Sequence, residues 1–238
     1  MYLTGWVDQG LAFDTCVHLG SLIAVLWYFR QDLYEMMLAV WKHLIQRVPS
    51  SESRFAFNLL LASLPIIPAG YLLKDLVASD LRSAGVIATA TLLFGVVLWW
   101  ADRSHQQSKP DSELDWKSAL FIGLVQCLAL VPGASRSGVT MTAALLAGHS
   151  RKAASRISFL LSIPAILGAS TLNIVELVHA RESVDWTPLV TGTLVAGVSA
   201  YACIHLFLKW IEKIGFTPFV IYRLLLGTAL LIWISLGW

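Results

Sequence analysis

The chain alternates long apolar stretches with short polar ones, and this pattern sets the first expectation for its fold. A helix needs about 20 mostly apolar residues to cross the hydrocarbon core of a bilayer. Six stretches approach that length, and in chain order they are 13–30, 54–73, 83–101, 157–177, 186–208 and 216–236. We therefore predict an all-α, polytopic membrane protein with six transmembrane helices.

The polar segments between these stretches predict the connections. Residues 32–48 have apolar residues at helical spacing but are too polar to span, so we expect an amphipathic helix that lies at the membrane surface or projects from it. Residues 49–53 predict a loop, and 102–117, the most polar segment, predicts an exposed loop. Pro65 and Pro68 interrupt the second span and predict a kink there.

One polar stretch, VPGASRSGVT at 131–140, lies inside an apolar region. Its proline and glycines interrupt a smooth helix. The apolar runs on either side, 118–130 and 138–148, are each too short to cross a bilayer. The arrangement predicts a re-entrant helical hairpin over 118–149. Two alternatives stay open, namely one broken span across 118–148 and a polar loop between two ordinary helices.

The distribution of basic residues favours the hairpin. If the loop before residue 54 faces the cytoplasm, the inner segments hold twelve of the 17 Lys and Arg residues and the outer turns hold three. The remaining two, Arg136 and Arg223, fall within membrane segments. Cytoplasmic loops carry an excess of Lys and Arg, whereas a through-span at 118–148 would make the two sides nearly equal.

Composition agrees with a membrane protein and excludes several other classes. Of the 238 residues 57% are hydrophobic and 13% are charged, and the mean hydropathy is +0.69. A soluble domain carries about twice that share of charge. The net charge of +2 gives no support for nucleic-acid binding. Cys16, Cys127 and Cys203 are scattered through apolar segments, which indicates neither a disulfide framework nor a metal site.

Arg136 is the residue around which we expect chemistry. A charged side chain among apolar membrane residues is costly, and this indicates a functional role. A guanidinium can hold two phosphate oxygens at once, and the N–H groups of a helix that starts near Gly138 would add to an anion site. We predict a phosphate-binding site made of Gly133, Ser135, Arg136, Ser137, Gly138 and Thr140, with Arg136 and Ser135 as catalytic residues.

Other polar residues in apolar surroundings are candidates for supporting roles. Asp14 would pair with an arginine or help to hold a divalent ion, or else it is a solvated residue at a helix start. Arg223 would form an intramembrane ion pair or a second anion contact. If Ser135 were a nucleophile it would need a base, and His149 is either that base or an ordinary polar residue at a helix end.

The polar stretch also resembles the signature of a known family. Residues 132–140, PGASRSGVT, are similar to the PGxSRSxxT motif of the undecaprenyl-diphosphatases, the bacitracin-resistance membrane phosphatases. Four further segments match that family: Phe13-Asp14 with His18-Leu19-Gly20-Ser21-Leu22, Gln126 with Leu128-Ala129-Leu130, Phe159-Leu160-Leu161-Ser162-Ile163-Pro164, and Pro218-Phe219 with Tyr222-Arg223. The resemblance covers essentially the whole chain.

This resemblance implies a multi-pass enzyme of the bacterial inner membrane. The family hydrolyses a C55 polyprenyl diphosphate to the monophosphate carrier used in peptidoglycan synthesis. Its architecture resembles inverted-repeat transporters, so the single domain 1–238 would hold the remainder of a first repeat at 13–101 and a second repeat at 118–238. The resemblance further implies a divalent cation, Mg²⁺ or Ca²⁺, and a homodimer. It assigns diphosphate contacts to Ser135, Arg136 and Thr140, and a supporting role to Gln126.

The family has a second signature, a glutamate-rich helix followed by a Pro-x-Ser-Ser…His turn, which supplies metal-binding carboxylates. It precedes the region of Phe13-Asp14, and the printed sequence does not contain it. We therefore expect low turnover from the chain as printed. A non-enzymatic lipid-phosphate transporter or flippase is the alternative function. A purely structural membrane subunit is less favoured, because it would not need Arg136 within the membrane.

Overall fold

The computed structural model describes residues 10–104, 109–180 and 186–236, which fold as α-helices with no β-strand among them. In chain order the helices are α1 Gly10–Tyr28, α2 Arg30–Gln46, α3 Ser51–Ser63, α4 Ile66–Ala78, α5 Ala84–Ser104, α6 Trp116–Gln126, α7 Arg136–Leu146, α8 Arg151–Ala180, α9 Trp186–Ile214 and α10 Thr217–Ser235. The prediction of an all-α protein is confirmed.

Five helical segments of the described chain are long and apolar enough to cross a membrane. They are Ser51–Val77, Ala84–Ser104, Arg151–Thr171, Trp186–Ile214 and Thr217–Ser235. A sixth results if α1 and α2, which are bent at their junction, are counted as one span. These helices make the chain a multi-pass membrane protein, and the predicted count of six is reached only if the bent pair α1 and α2 is counted as one span.

Proline explains why the second predicted span is two helices. Leu64 and Pro65 form a turn between α3 and α4, and the Leu64 N–H donates to the Leu61 carbonyl at 3.2 Å. Proline has no N–H to continue the α-helical ladder, and its ring obstructs the preceding turn. The predicted kink is therefore present at this position.

The structure corrects the prediction for the polar segment 102–117. Asp102 continues α5 and is only 4% exposed, because its carboxylate accepts hydrogen bonds from Arg151 and from the backbone N–H of Phe216. At the other end of the segment, Trp116 already begins α6. The polar composition of this segment predicted exposure to solvent. Asp102 is buried instead, because a charged side chain can be buried when it is paired. Residues 105–108 lie outside the described residues.

The described helices fall into two compact units. One comprises the residues up to Leu33 together with Ser162–Phe207, and the other comprises Tyr34–Leu161 together with the residues from Leu208 onwards. In the first unit the backbones of α1 and α9 approach closely, since a Cβ on Gly20 would clash with the Thr193 carbonyl group. Small residues permit such close helix packing in membranes.

The second unit contains the predicted hairpin as two short helices. Helices α6 and α7 pack against each other, α6 also packs on α3, and α5 packs on both α7 and α10. Between them the chain forms a 3₁₀ turn at Cys127–Leu130 and then a non-helical turn up to Ser135. Each short helix has 11 residues, about 16 Å at 1.5 Å per residue. Neither alone can cross a bilayer.

Candidate functional site

The turn that leads into α7 has a backbone that requires glycine. Gly133 has a φ of +91°, and a Cβ at this position would clash with the Ile87 carbonyl oxygen of α5. The Ala134 N–H donates to the Val131 carbonyl at 3.1 Å and closes the turn. Glycine alone fits both the left-handed backbone and the close approach to α5. The predicted glycine requirement thus has a structural cause at Gly133.

Ser135 caps the start of α7 in a strained conformation. Its φ of 66° is uncommon for a residue with a side chain, and such strain is found mainly at functional sites. The Ser135 Oγ accepts from the Gly138 N–H at 3.3 Å and lies 3.3 Å from the Ser137 Oγ. Both serines are exposed. Two hydroxyls therefore stand beside the N–H groups at the positive end of a helix, where anions bind.

Arg136 is the first residue of α7, so the helix begins two residues before the predicted position near Gly138. Its side chain is partly buried, and its Nη1 donates to the Leu161 carbonyl of α8 at 3.3 Å. Pro164 lies in the same helix and deprives the preceding turn of an N–H donor. The N–H that proline lacks would have bonded to the Leu160 carbonyl, one residue before the Leu161 carbonyl that accepts from Arg136.

No carboxylate within the described residues pairs with Arg136. A guanidinium has five N–H donors, and one hydrogen bond to a carbonyl leaves most of them unused. Partial burial without an acidic partner is costly for a cation. An external anion at this place would remove that cost.

Arg223 of α10 supplies a second guanidinium to the same turn. Its Nη2 donates to the Gly133 carbonyl at 2.8 Å, and its Nε donates to the Thr91 carbonyl at 3.3 Å. Its Nη1 lies 3.6 Å from the position that a Cβ would take on Gly138. The structure therefore brings Arg223 to the turn of the predicted anion site, and Gly138 leaves room for about one methyl group beside Ser135 and Arg223.

Thr140 is placed differently from the other predicted binding residues. It is 1% exposed, and its Oγ1 lies 2.7 Å from the Ser158 Oγ of α8. The Thr140 hydroxyl also donates to the carbonyls of Arg136 and Ser137 one turn earlier. In this arrangement Thr140 ties α7 to α8 and so orients Arg136. Its predicted contact with diphosphate stays a prediction.

Gln126 lies at the end of α6 and contacts α3. It is 1% exposed, its Nε2 lies 3.5 Å from the Ala62 carbonyl oxygen, and its Oε1 has no partner within the described chain. A Cβ on Gly123, one turn earlier, would lie 2.6 Å from the same carbonyl oxygen. This close packing holds the end of α6 against α3. The predicted supporting role of Gln126 stays a prediction.

Two other candidates have separate environments. Asp14 belongs to α1 and is exposed, and its carbonyl oxygen lies 2.7 Å from His18 Nδ1. His149 is fully buried, and neither of its ring nitrogens has a partner in the described residues. It follows α7, whereas Ser135 precedes it, and the helix between them is about 16 Å long. His149 is therefore not the base of Ser135.

The described residues do not offer a ligand set for a divalent cation. No three His, Cys, Asp or Glu side chains converge within 10–104, 109–180 and 186–236. Divalent cations in proteins are held by several carboxylate or carbonyl oxygens. We therefore derive no step of the chemistry through a metal, and the expected cation stays a prediction from the family resemblance.

Comparison with known proteins shows the family of the chain. The family Bacitracin resistance protein BacA matches residues 1–229. The chain is 50% identical over 237 residues to Undecaprenyl-diphosphatase 2 of Stutzerimonas stutzeri (strain A1501), covering 98% of this chain and 88% of that protein. It is 48% identical over 229 residues to Undecaprenyl-diphosphatase of Alteromonas mediterranea (strain DSM 17117 / CIP 110805 / LMG 28347 / Deep ecotype), covering 96% and 86%. The protein belongs to the BacA bacitracin-resistance family.

Proposed function

We propose that this protein is an undecaprenyl-diphosphatase whose phosphate cradle is the first turn of α7. It hydrolyses a C55 polyprenyl diphosphate to the monophosphate and inorganic phosphate, which returns the lipid carrier to cell-wall synthesis. Membership of the family and near full-length relatives with this name support the activity. The observation that carries the assignment to this turn is that Arg136 begins α7 and Arg223 donates to the Gly133 carbonyl of the same turn, while neither arginine pairs with a carboxylate within the described residues.

In this proposal the turn stabilises the negative charge that develops during hydrolysis. Water adds to the terminal phosphorus, the bridging P–O bond breaks, and negative charge grows on the departing lipid monophosphate. Arg136 can contact two phosphate oxygens in parallel, and Arg223 adds a second positive charge. The Ser135 and Ser137 hydroxyls can donate further hydrogen bonds. Donors that are already in place cost no reorganisation as charge develops.

The apolar surroundings suit the lipid part of this substrate. Leu124 and Leu128 lie on α6 and in the following turn, one helical turn apart, and are 56% and 48% exposed. Because they precede the phosphate cradle by only a few residues, a polyprenyl chain can follow this surface while its diphosphate occupies the cradle.

Three further features belong to this proposal. We place the protein in the bacterial inner membrane, because the lipid carrier works there. We propose a divalent cation as cofactor and a homodimer as the assembly, both from the family resemblance.

The test is phosphate release from undecaprenyl diphosphate by the purified protein in detergent. We expect lipid monophosphate and inorganic phosphate in equal amounts, and we expect both to disappear in the Arg136→Ala variant. Chelation with EDTA should stop the reaction, and added Mg²⁺ or Ca²⁺ should restore it. Movement of the intact lipid across vesicles without phosphate release would contradict the enzyme assignment and favour the transporter alternative.

A further inference from the structure

Helix α2 carries a wide apolar face that the described residues leave uncovered. Six large apolar side chains on it are between 40% and 67% exposed: Tyr34, Met37, Leu38, Trp41, Leu44 and Ile45. They follow the i, i+3, i+4, i+7 spacing of one helix face and cover an arc of about 120°. The same helix carries four charged residues and is not by itself a candidate span.

The other sides of α2 have different partners. Met36 is 6% exposed, and His43 Nδ1 lies 3.0 Å from the Ser53 Oγ while its ring packs edge-on to Phe57 at 5.3 Å. Glu35 and Lys42 are exposed and form a polar edge beside the apolar face. The helix thus has a packed side, a polar edge and an uncovered apolar face.

Its contact with α3 places α2 at the end of a membrane span. Ser53 and Phe57 belong to the first two turns of the candidate span Ser51–Val77. A helix held there by His43 lies at the level where the span leaves the hydrocarbon core. Tryptophan and tyrosine favour this level because one part of each ring is apolar and one part is polar. Trp41 and Tyr34 provide these residues on the apolar face.

We propose that the apolar face of α2 lies in the plane of the lipid bilayer, at the boundary between headgroups and acyl chains of the cytoplasmic leaflet. Arg30 and Arg47 flank the two ends of α2 and are exposed, and Lys42 is exposed at its edge. These cations complement the phosphate groups of lipids, and long basic side chains can reach headgroups while an apolar face is immersed. A second copy of the chain would not need a cation at each end and at the edge of the contact.

Spin labels on α2 in reconstituted protein test this placement. The three native cysteines, Cys16, Cys127 and Cys203, are first replaced by alanine. Single cysteines then replace Met37 or Leu44 on the apolar face, and Glu35 or Gln46 on the polar side serve as matched controls. The vesicles contain phosphatidylethanolamine and phosphatidylglycerol. We expect labels at 37 and 44 to be relaxed several-fold more by oxygen than by a water-soluble nickel complex, and labels at 35 and 46 to show the opposite order.

Two results would overturn the proposal. Equal access of the nickel complex to all four positions would mean that α2 projects into water. Protection of positions 37 and 44 from both reagents, with spin–spin broadening between molecules, would mean that a second copy covers the face. Single elution peaks in detergent for all four variants confirm that the protein is folded, so that each pattern of accessibility decides for or against the bilayer.

Discussion

Two turns in the second unit share the four-residue pattern Gly-x-Ser-Arg, but only one of them has carboxylate partners within the described residues. The first is Gly133-Ala134-Ser135-Arg136 and the second is Gly148-His149-Ser150-Arg151. In both, the glycine has a positive φ, +91° and +89°, and the serine accepts a hydrogen bond from the N–H three residues later. In both, the arginine begins a helix, α7 or α8.

The second turn is closed by carboxylates of the protein itself. Arg151 Nε donates to Asp102 Oδ1 at 2.6 Å, and Ser150 Oγ donates to Asp111 Oδ1 at 2.6 Å. The first turn has the same kinds of donor, but neither Arg136 nor Ser135 meets a carboxylate within the described residues. The second turn therefore shows how this pattern holds oxyanions, and the first turn keeps the equivalent place open for a ligand.

The largest effect that we expect from this comparison is the loss of activity when Arg136 is replaced. Arg136→Lys keeps the charge but loses the two-pronged contact with phosphate. We expect kcat/KM for undecaprenyl diphosphate to fall about 100- to 1,000-fold, the usual cost of removing a donor that stabilises transition-state charge. The matched variant is Arg151→Lys in the second turn.

Arg151→Lys should lower the thermal midpoint, because the Asp102 carboxylate loses a short hydrogen bond, while kcat/KM per folded molecule stays close to that of the parent. Similar losses of kcat/KM in both variants would show that the open turn has no special role.

A smaller effect, on folding stability, is expected from the titration of His149 in the second turn, which we call the closed turn because carboxylates of the protein bind its Arg and Ser. Burial, assisted by the nearby Lys109 charge, lowers the pKa of His149 from 6.5 to about 4. The unfolded chain takes up this proton near pH 6.5 and the folded chain only near pH 4. Stability is therefore complete above pH 6.5 and is lost as the pH falls towards 4, by at most about 3 kcal/mol.

Thermal midpoints between pH 7 and pH 4 measure this loss, and His149→Leu should flatten the profile. Asp115 does not interfere in this range: burial works against ionisation, but hydrogen bonds from Lys109 and Ser118 lower the pKa of its carboxyl group to about 2. Its contribution is lost only below about pH 4. An unchanged slope in His149→Leu would assign the acid sensitivity to another group.

A still smaller effect on stability is expected at Gly138. A Cβ there would meet the Ser135 Oγ at 3.4 Å and the Arg223 Nη1 at 3.6 Å, which are ordinary contacts. Gly138→Ala should therefore stabilise the protein by about 0.5–1 kcal/mol, because alanine favours the helix. The same methyl group would occupy part of the phosphate cradle, and we therefore expect it to lower the rate of phosphate release. A more stable variant with full activity would show that no ligand uses this space.

The sequence predicted the spans and the break in the hairpin because both depend on local composition. Apolar length indicates a membrane helix wherever it occurs in the chain, and Pro132 and Gly133 disfavour a continuous helix through this point. The sequence also placed Arg136 and Arg223 in the membrane, and the structure brings both to the turn.

The partners of these arginines could not be predicted in the same way. Leu161 and Thr91 bind these arginines only through backbone carbonyls. Any residue type can supply such an acceptor if its backbone has the right conformation. The burial of Asp102 was missed because a charged residue after an apolar run indicates solvent unless its partner, 49 residues later, is known.

The most direct test of the open turn is to close it with a carboxylate. Ser137→Asp places a negative charge in the first turn of α7, next to Arg136 in the chain, and Ser137→Asn is the neutral control. We expect Ser137→Asp to raise stability by about 0.3–1 kcal/mol, since acidic groups favour a helix start. It should also abolish binding and hydrolysis of undecaprenyl diphosphate, while Ser137→Asn retains most of both. Normal binding and hydrolysis by Ser137→Asp would contradict the claim that this turn holds the diphosphate.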